Sequence, residues 1–215
     1  MKIYFVRHGE SEQTDKVHQS PETILTDHGK AQARHVAKFL SHIHIDTIIT
    51  STYARSMLTA QEIAKTIKVP IIRSNLFIER RMPHSFVGKP VQDEALSEIH
   101  QSIRDNFYNK NWHHEDEENF YDITARVKKA LEFIITENKQ EIIVVTHGYF
   151  LTILIFYILF SDTDHPEAFK EFKQKTEFSN GGITMCEYKD DKWKVVSMNG
   201  VTHLHLSSEV SDLFE

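Results

Sequence analysis

Three short apolar runs, each followed at once by a polar cluster and then by a helical pattern, constrain most strongly how this chain folds. The runs span residues 2–6, 46–50 and 141–146. Their β-branched and aromatic residues favour buried strands. Strands that alternate with helices form right-handed βαβ units. The sequence therefore predicts a mostly parallel central sheet covered by helices on both faces, which is a three-layer αβα sandwich of the α/β class.

The remaining elements follow from helical periodicity and end signals. Helices are predicted over residues 27–43 and 53–67, with Thr26 as the N-cap of the first. Another strand-like run begins at Pro70, and the last apolar runs, 183–188 and 193–198, predict a hairpin. Residues 74–139 contain two helical patterns, at 91–107 and 122–138, and no central strand. We therefore expect residues 1–215 to form a single domain with a helical cap insertion at about 74–139.

Charge and cysteine content exclude several classes of protein. The formal net charge of −6 argues against a broad nucleic-acid surface. The longest apolar stretch, residues 149–160, has twelve residues, which suits a buried core helix rather than a membrane span. The first ten residues contain no signal-peptide core, and a chain with one cysteine, Cys186, forms no internal disulfide. We expect a cytoplasmic protein that binds neither nucleic acid nor a membrane.

Polar side chains follow each of the three best strands where the strand ends. They are Arg7 and His8 after the first strand, Ser51 and Arg55 after the second, and His147 after the third. Because ligands of open α/β sheets bind beyond the carboxyl ends of the strands, these residues are expected to converge. Arginine forks and helix N-termini both bind phosphate well. The sequence therefore predicts a pocket for a compact anion, and phosphate is the natural ligand.

Two histidines in such a pocket can do more than bind. Cationic neighbours favour the neutral imidazole, whose lone pair can attack phosphorus. The second histidine can stabilise the charge on the equatorial oxygens, and this chemistry needs no metal. A carboxyl group is then required to protonate the leaving group and to activate water. Glu79, which follows the fourth strand-like run, is the candidate.

The motifs resemble those of the histidine phosphatase superfamily, also called the phosphoglycerate mutase-like family. They are RHGES at residues 7–11, LTDHGKAQA at 25–33, STYARSMLTAQEI at 51–63 and VVTHG at 144–148. In that family the histidine of RHG is phosphorylated, so the resemblance assigns the phosphohistidine to His8. It assigns phosphate binding to Arg7 and Arg55, and completion of the phosphate pocket to His147. A glutamate after the fourth strand is the family's general acid, which corresponds to Glu79.

The chain departs from the mutase members of this family. Thr14 stands where many of them carry an asparagine, so that phosphate contact is altered or lost, and Thr14 is the candidate ligand there. The mutases also carry an E-R-H-Y-G element where this chain has ERRMP at residues 79–83, and they are usually longer. These differences favour a metal-independent phosphatase that hydrolyses phosphomonoesters without a cofactor. Mutase-type phosphoryl transfer and a non-catalytic phosphate-binding regulatory module are the alternatives.

The motifs specify the phosphoryl group and little else. The partner is expected to be a small phosphorylated substrate or a phosphoprotein, and no pattern indicates an oligomeric state. Gly29 and Gln32 are interpreted as structural residues that let the first helix pack against the active-site loop. The paired histidines lack the spacing of a closed metal site, and the acidic run at 115–118 is predicted to be a solvated loop.

Overall fold

A six-stranded sheet forms the centre of the protein. The computed structural model of the protein describes residues 1–12, 16–160 and 166–205. The strands are β1 (Lys2–Arg7), β2 (Thr47–Thr50), β3 (Ile71–Arg73), β4 (Glu141–Thr146), β5 (Ile183–Lys189) and β6 (Lys192–Gly200). Their order is β3-β2-β4-β1-β5-β6. Strands β1 to β4 pair in parallel, whereas β5 and β6 form the predicted antiparallel hairpin. The mostly parallel sheet is confirmed.

Helices cover both faces of the sheet. They are α1 (Asp27–Leu40), α2 (Ala54–Ile67), α3 (Ser97–Asn106), α4 (Phe120–Thr136), α5 (Gly148–Phe160), α6 (Pro166–Lys175) and α7 (Thr202–His205). Side chains alternate along β1, so Tyr4 and Val6 join a core with α1 and α2. Ile3 and Phe5 join the core on the other face with α4 and α5. The predicted three-layer sandwich is therefore confirmed.

Helix α1 shows how local signals set the boundaries. The Thr26 hydroxyl accepts a hydrogen bond from the Gly29 amide at 3.0 Å, which confirms the predicted N-cap. The helix ends at Leu40, three residues before the predicted end. The Ser41 hydroxyl and amide donate to the Lys38 carbonyl, at 2.7 and 3.3 Å, and this local turn closes the helix.

The chain between β3 and β4 forms helical elements and, within the described residues, no strand of the sheet. Three single-turn 3-10 segments (Asn75–Phe77, His84–Phe86, Glu94–Leu96) precede α3 and α4. Helix α3 begins at Ser97 instead of residue 91, because the Val91 amide donates to the Lys16 carbonyl at 3.1 Å and residues 94–96 form a 3-10 turn. Helix α4 packs on the sheet through residues such as Ile123 and Val127. Helix α4 is thus a core helix. The predicted cap insertion at about 74–139 would therefore be confined to the residues before α4.

Helix α5 is the apolar segment that the sequence assigned to the core. Most of its thirteen residues are buried between the sheet, α4 and α6. Among the helices in the described ranges, none combines the length and the apolarity that crossing a bilayer requires. The N-terminus of α5 follows β4 at the carboxyl edge of the sheet, and this places the start of the helix beside the candidate site.

Candidate active site

The parallel pairing of β1 with β4 brings the two predicted histidines together. Arg7 lies opposite Thr146 in the strand register, so the next residues, His8 and His147, leave the sheet side by side. The His8 amide donates to the Thr146 carbonyl at 2.9 Å, and the two imidazole centroids are 5.0 Å apart. Two residues far apart in sequence therefore meet because their strands are neighbours.

The turn after His8 is held by a close approach of two glycines. A Cβ atom at Gly9 would lie 2.3 Å from the Gly29 carbonyl oxygen, and a Cβ atom at Gly29 would lie 2.0 Å from the Glu10 carbonyl oxygen. The Glu10 amide donates to the Gln32 side chain at 2.8 Å. These contacts confirm that Gly29 and Gln32 fix α1 against the active-site loop.

The imidazole of His8 presents a lone pair to the pocket. Its Nδ1 lies 2.7 Å from the Gly9 carbonyl oxygen, which can only accept a hydrogen bond, so Nδ1 carries the proton. Its Nε2 accepts from Nε of Arg55 at 3.2 Å. Burial, and then the charges of Arg55 and Arg7, hold the pKa of His8 well below its usual range. The ring is therefore neutral at pH 7, with Nε2 unprotonated.

Arg55 is a buried cation in the first turn of α2. Only 4% of its surface is exposed, and besides His8 it donates to the Ser20 carbonyl oxygen at 3.1 Å. Its guanidinium lies over the Tyr53 ring, with the carbon 5.2 Å from the centroid. A cation at a helix N-terminus opposes the helix dipole, and an anion bound there would relieve this conflict.

His147 lies beside His8 and is fully buried. Its Nε2 lies 2.8 Å from the Ser51 hydroxyl oxygen and 3.2 Å from that of Ser56. Because either hydroxyl can donate to Nε2, the serines can hold the proton of the neutral ring on Nδ1. Nδ1 is buried and has no hydrogen-bond partner among the described residues. Burial, followed by the charge of Arg55, holds the pKa of His147 well below its usual range.

The side chain of Arg7 is held by the segment before β5 and by the start of α5. Its Nη1 donates to the Phe178 carbonyl oxygen at 2.6 Å. The first residue of α5, Gly148, packs against the guanidinium, since a Cβ atom there would lie 3.2 Å from Nε of Arg7. The Asn180 side chain donates to the His8 carbonyl oxygen at 2.9 Å and ties the segment before β5 to the same turn.

Glu79 reaches the pocket from the loop after β3. Its Oε1 accepts from the Arg80 and Phe150 amides, both at 2.9 Å, and its Oε2 accepts from the Tyr149 amide at 3.1 Å. Two of these donors belong to the first turn of α5, whose positive dipole end favours a carboxylate. The three bonds leave one acceptor position on Oε2, which is where a proton can bind.

A buried ionic network fixes the loop that carries Glu79. Arg126 of α4 forms a two-pronged ion pair with Glu118, and Arg80 pairs with Glu117 at 2.7 Å. Glu117 and Glu118 are only 3% and 1% exposed. The prediction of a solvated acidic loop is therefore wrong for these two residues. The local sequence is hydrophilic, but the arginines that neutralise it come from other segments of the chain.

The structure brings together most of the residues that the sequence singled out. Arg7, His8, Arg55 and Glu79 line one pocket of about 660 Å³. His147 is not among the lining residues, and its ring packs against that of His8 in a T-shaped contact. The predicted phosphate ligand Thr14 lies outside the described residues. In the described ranges, no group of three or more His, Cys, Asp or Glu side chains is arranged to hold a metal ion.

Sequence reasoning missed the side chains that orient this site. Ser56 follows Arg55 directly, yet only its approach to the His147 ring shows what it does. Asn180 lies in the SNGG segment before β5, and nothing in that segment indicates its contact with the His8 carbonyl oxygen. Arg126 sits in a helical pattern with other charged residues, so nothing local separates it from a solvated side chain.

Comparisons with known proteins agree with this geometry. The sequence model of the histidine phosphatase superfamily (branch 1) matches residues 3–200. The chain is 25% identical over 206 residues to the protein named uncharacterized phosphatase PhoE of Bacillus subtilis (strain 168), covering 94% of this chain and 96% of that protein. It is 27% identical over 220 residues to probable phosphoglycerate mutase GpmB of Serratia proteamaculans (strain 568), covering 95% of both.

The fold has close counterparts among solved structures. Bacillus stearothermophilus YhfR superposes with a TM-score of 0.80 at 22% identity, and the match covers 95% of this chain and 99% of that one. The superposition supports the αβα architecture independently of sequence similarity. The family model matches residues 3–200, and the RHG, S-x-x-x-R and THG motifs form the pocket. This chain therefore belongs to the histidine phosphatase superfamily.

Proposed function

We propose that this protein hydrolyses phosphomonoesters in two steps through a phosphohistidine on His8. The observation that carries the proposal is the state of the His8 ring. The ring is buried and neutral, and its Nε2 lone pair lies in a pocket that also contains the guanidinium groups of Arg7 and Arg55. A binding site alone would not need a nucleophilic nitrogen held in this tautomer.

In the first step, Nε of Arg55 transfers its hydrogen bond from Nε2 of His8 to a phosphate oxygen, and the freed Nε2 attacks phosphorus as the bond from phosphorus to the ester oxygen breaks. Arg7 and Arg55 bear the charge of the equatorial oxygens, and Nδ1–H of His147 is the proposed third donor to them. Glu79, protonated on Oε2, gives its proton to the departing alkoxide. The products of this step are a free alcohol and phosphorylated His8.

In the second step, water attacks the same phosphorus and the bond from phosphorus to Nε2 breaks. Glu79, now a carboxylate, accepts the proton from water, so its protonation state is restored at the end of the cycle. Nε2 regains its lone pair, and inorganic phosphate leaves. The net reaction consumes one ester and one water and produces one alcohol and one phosphate.

The proposed chemistry uses charges that the chain itself supplies. Arg7 and Arg55 remain protonated throughout and together balance the dianionic phosphoryl group. The site therefore requires neither a resident metal nor an organic cofactor to stabilise the transferring group. Turnover is expected to persist in the presence of a metal chelator.

The first experiment measures hydrolysis of 4-nitrophenyl phosphate with a chelator present. Wild type should turn over, and His8→Ala should lose at least about 1000-fold in kcat. Glu79→Gln should lose about 100- to 10 000-fold, because it keeps the shape but cannot carry the proton. Val196→Ser, a change on the exposed edge strand β6, serves as the control. Protein quenched with an alkaline denaturant, in which phosphohistidine is stable, should carry phosphate on wild type and not on His8→Ala. Full activity of His8→Ala would refute the proposal.

Mutase-type transfer shares the first step and differs in what attacks the phosphohistidine. The similarity to a protein named as a probable phosphoglycerate mutase keeps this alternative open. The two functions separate when isotopically labelled phosphoenzyme is mixed with 3-phosphoglycerate. Release of labelled inorganic phosphate supports the phosphatase, whereas labelled bisphosphoglycerate or 2-phosphoglycerate supports the mutase.

We also infer that the protein works in a reducing, cytoplasmic setting on small phosphorylated molecules or phosphoproteins. The one cysteine, Cys186, is buried, and burial raises the pKa of its thiol to about 12. Such a thiol is unreactive and gains nothing from an oxidising compartment. Fractionation of the source cells tests the location, and recovery in an exported fraction would contradict it.

A further inference from the structure

The pocket that contains His8 extends well beyond the space that a phosphoryl group occupies. Its volume of about 660 Å³ is within the range of pockets for drug-sized ligands. Besides Arg7 and Arg55, the lining includes apolar side chains. These are Val17, Met82, Phe86, Val87 and Val91, which we call the apolar wall. Because the wall and the two arginines line the same pocket, an ester whose phosphoryl group binds at the arginines has its leaving group in the space that the wall also lines.

The apolar wall is a built surface and not a chance exposure of side chains. The Gly88 amide donates to the His18 carbonyl at 2.8 Å, and the His18 amide donates to the Lys89 carbonyl at 2.9 Å. Val17 and Pro90 form a β-bridge in the same ladder. Phe86 is fully buried behind this ladder, with its ring 5.1 Å from that of His18. Two loops from different parts of the chain are thus fastened together to form one side of the pocket.

Two valines of the wall remain available to a ligand. Val87 is 39% exposed and Val91 is 40% exposed, and both line the pocket. Apolar surface left open in a concave site next to reactive groups is a common feature of ligand-binding pockets. An apolar or aromatic group placed against these side chains would remove that surface from water.

The charges of the outer pocket do not favour a second anion. Arg80 is paired with Glu117, and Arg81 is 3.4 Å from Glu118. A ligand carboxylate would have to compete with these glutamates for the guanidinium groups.

Two acidic side chains also line this part of the pocket, those of Glu22 and Asp116. Burial and the neighbouring His100 lower the pKa of His18, so that ring adds no positive charge at pH 7. The exposed imidazole of His84 is the remaining basic group of the described outer lining.

From this arrangement we infer that the site accepts phosphate monoesters of uncharged alcohols with an apolar or aromatic group. It discriminates against esters that carry a carboxylate close to the phosphate. The inference rests on the proposed function, because that function places the phosphoryl group at His8. It assigns recognition of the leaving group to Val87 and Val91. These residues determine specificity and take no part in the chemical steps.

The test uses two non-hydrolysable ligands, so that it does not depend on turnover. Binding of 2-phenylethylphosphonate and of 2-carboxyethylphosphonate to the whole protein is measured by calorimetry. Both ligands present the same phosphonate on a two-carbon chain and differ in the group that would meet the wall. We expect the phenyl ligand to bind about tenfold more tightly.

Matched variants locate the preference. Val87→Ser and Val91→Ser should each weaken binding of the phenyl ligand about three- to tenfold and leave the carboxyl ligand unchanged. Val196→Ser makes the same chemical change at a valine that is 49% exposed on β6, outside the pocket, and should alter neither affinity. Thermal melting of each variant checks that it is folded.

The outcomes separate this inference from the proposed function. Equal or tighter binding of the carboxyl ligand overturns the inference. A preference for the phenyl ligand that survives in both valine variants also overturns it, and so does a protein that binds neither ligand. A phenyl preference that is lost in the valine variants supports it. If that preference is found in a protein that hydrolyses no phosphate ester, the leaving-group site stands and the phosphatase proposal fails.

Discussion

Replacement of Arg126 by methionine should destabilise the protein and displace the loop that carries Glu79. Nε and Nη2 of Arg126 donate to the two carboxylate oxygens of Glu118, at 2.7 and 2.6 Å. Nη1 donates to the Leu76 and Ile78 carbonyls at 3.1 and 2.7 Å, and Nη2 donates to the Glu79 carbonyl at 3.2 Å. One side chain therefore satisfies acceptors from two segments that are distant in sequence.

The magnitude follows from the burial of this pair. The side chains of Arg126 and Glu118 are 10% and 2% exposed. Removing one partner of a buried ion pair costs about 3–5 kcal/mol, because the other charge remains buried without compensation. Arg81 still lies 3.4 Å from Glu118 and offsets part of that loss. We expect Arg126→Met to lower the free energy of unfolding by about 3 kcal/mol, a large share of the 5–15 kcal/mol typical of a domain.

Urea denaturation followed by tryptophan fluorescence measures this loss. Lys30→Met removes one partner of a surface pair with Asp27 and should leave the unfolding midpoint unchanged within error. The double variant Arg126→Met with Glu118→Gln should be more stable than Arg126→Met alone, because the uncompensated charge is gone. A loss below about 1 kcal/mol with an unchanged denaturant slope would refute the reasoning that the network holds the loop.

Two further predictions concern the glycine contact and the buried histidines. Gly29→Ala places a Cβ atom 2.0 Å from the Glu10 carbonyl oxygen, so the helix must move, and the cost should be about 1–3 kcal/mol in thermal or urea unfolding; unchanged stability would show that the loop yields freely. His8 and His147 are neutral when folded but titrate near pH 6.5 when unfolded, so the unfolded chain binds more protons below that pH. The contribution of the two histidines to the free energy of unfolding should therefore be complete above pH 6.5. On acidification below that pH, the free energy of unfolding should fall by about 1.4 kcal/mol per pH unit for each histidine. His147→Asn should reduce the slope by one such contribution, and an identical slope in the variant would contradict this assignment.

The framework of the site could be predicted because it depends on local patterns and one topological rule. Strand β4 occupies the predicted residues, and α2 ends where its pattern ends, at Ile67. Parallel strands present their carboxyl ends at one edge, which places His8 and His147 at that edge, and the pairing of β1 with β4 makes them neighbours. Helix α6 was not predicted, because its sequence is polar and only Phe169 is buried.

The sequence by itself predicted the main strands and helices and the cluster of arginine and histidine side chains at the strand ends. These properties follow from hydrophobic periodicity and from side-chain chemistry at strand ends, which are local. Only the tertiary structure decided that Glu118 is buried with Arg126, that α4 belongs to the core, and that two distant loops form the apolar wall. These depend on long-range pairing, since a charged or apolar residue has the same local pattern whether its partner is solvent or another segment of the chain.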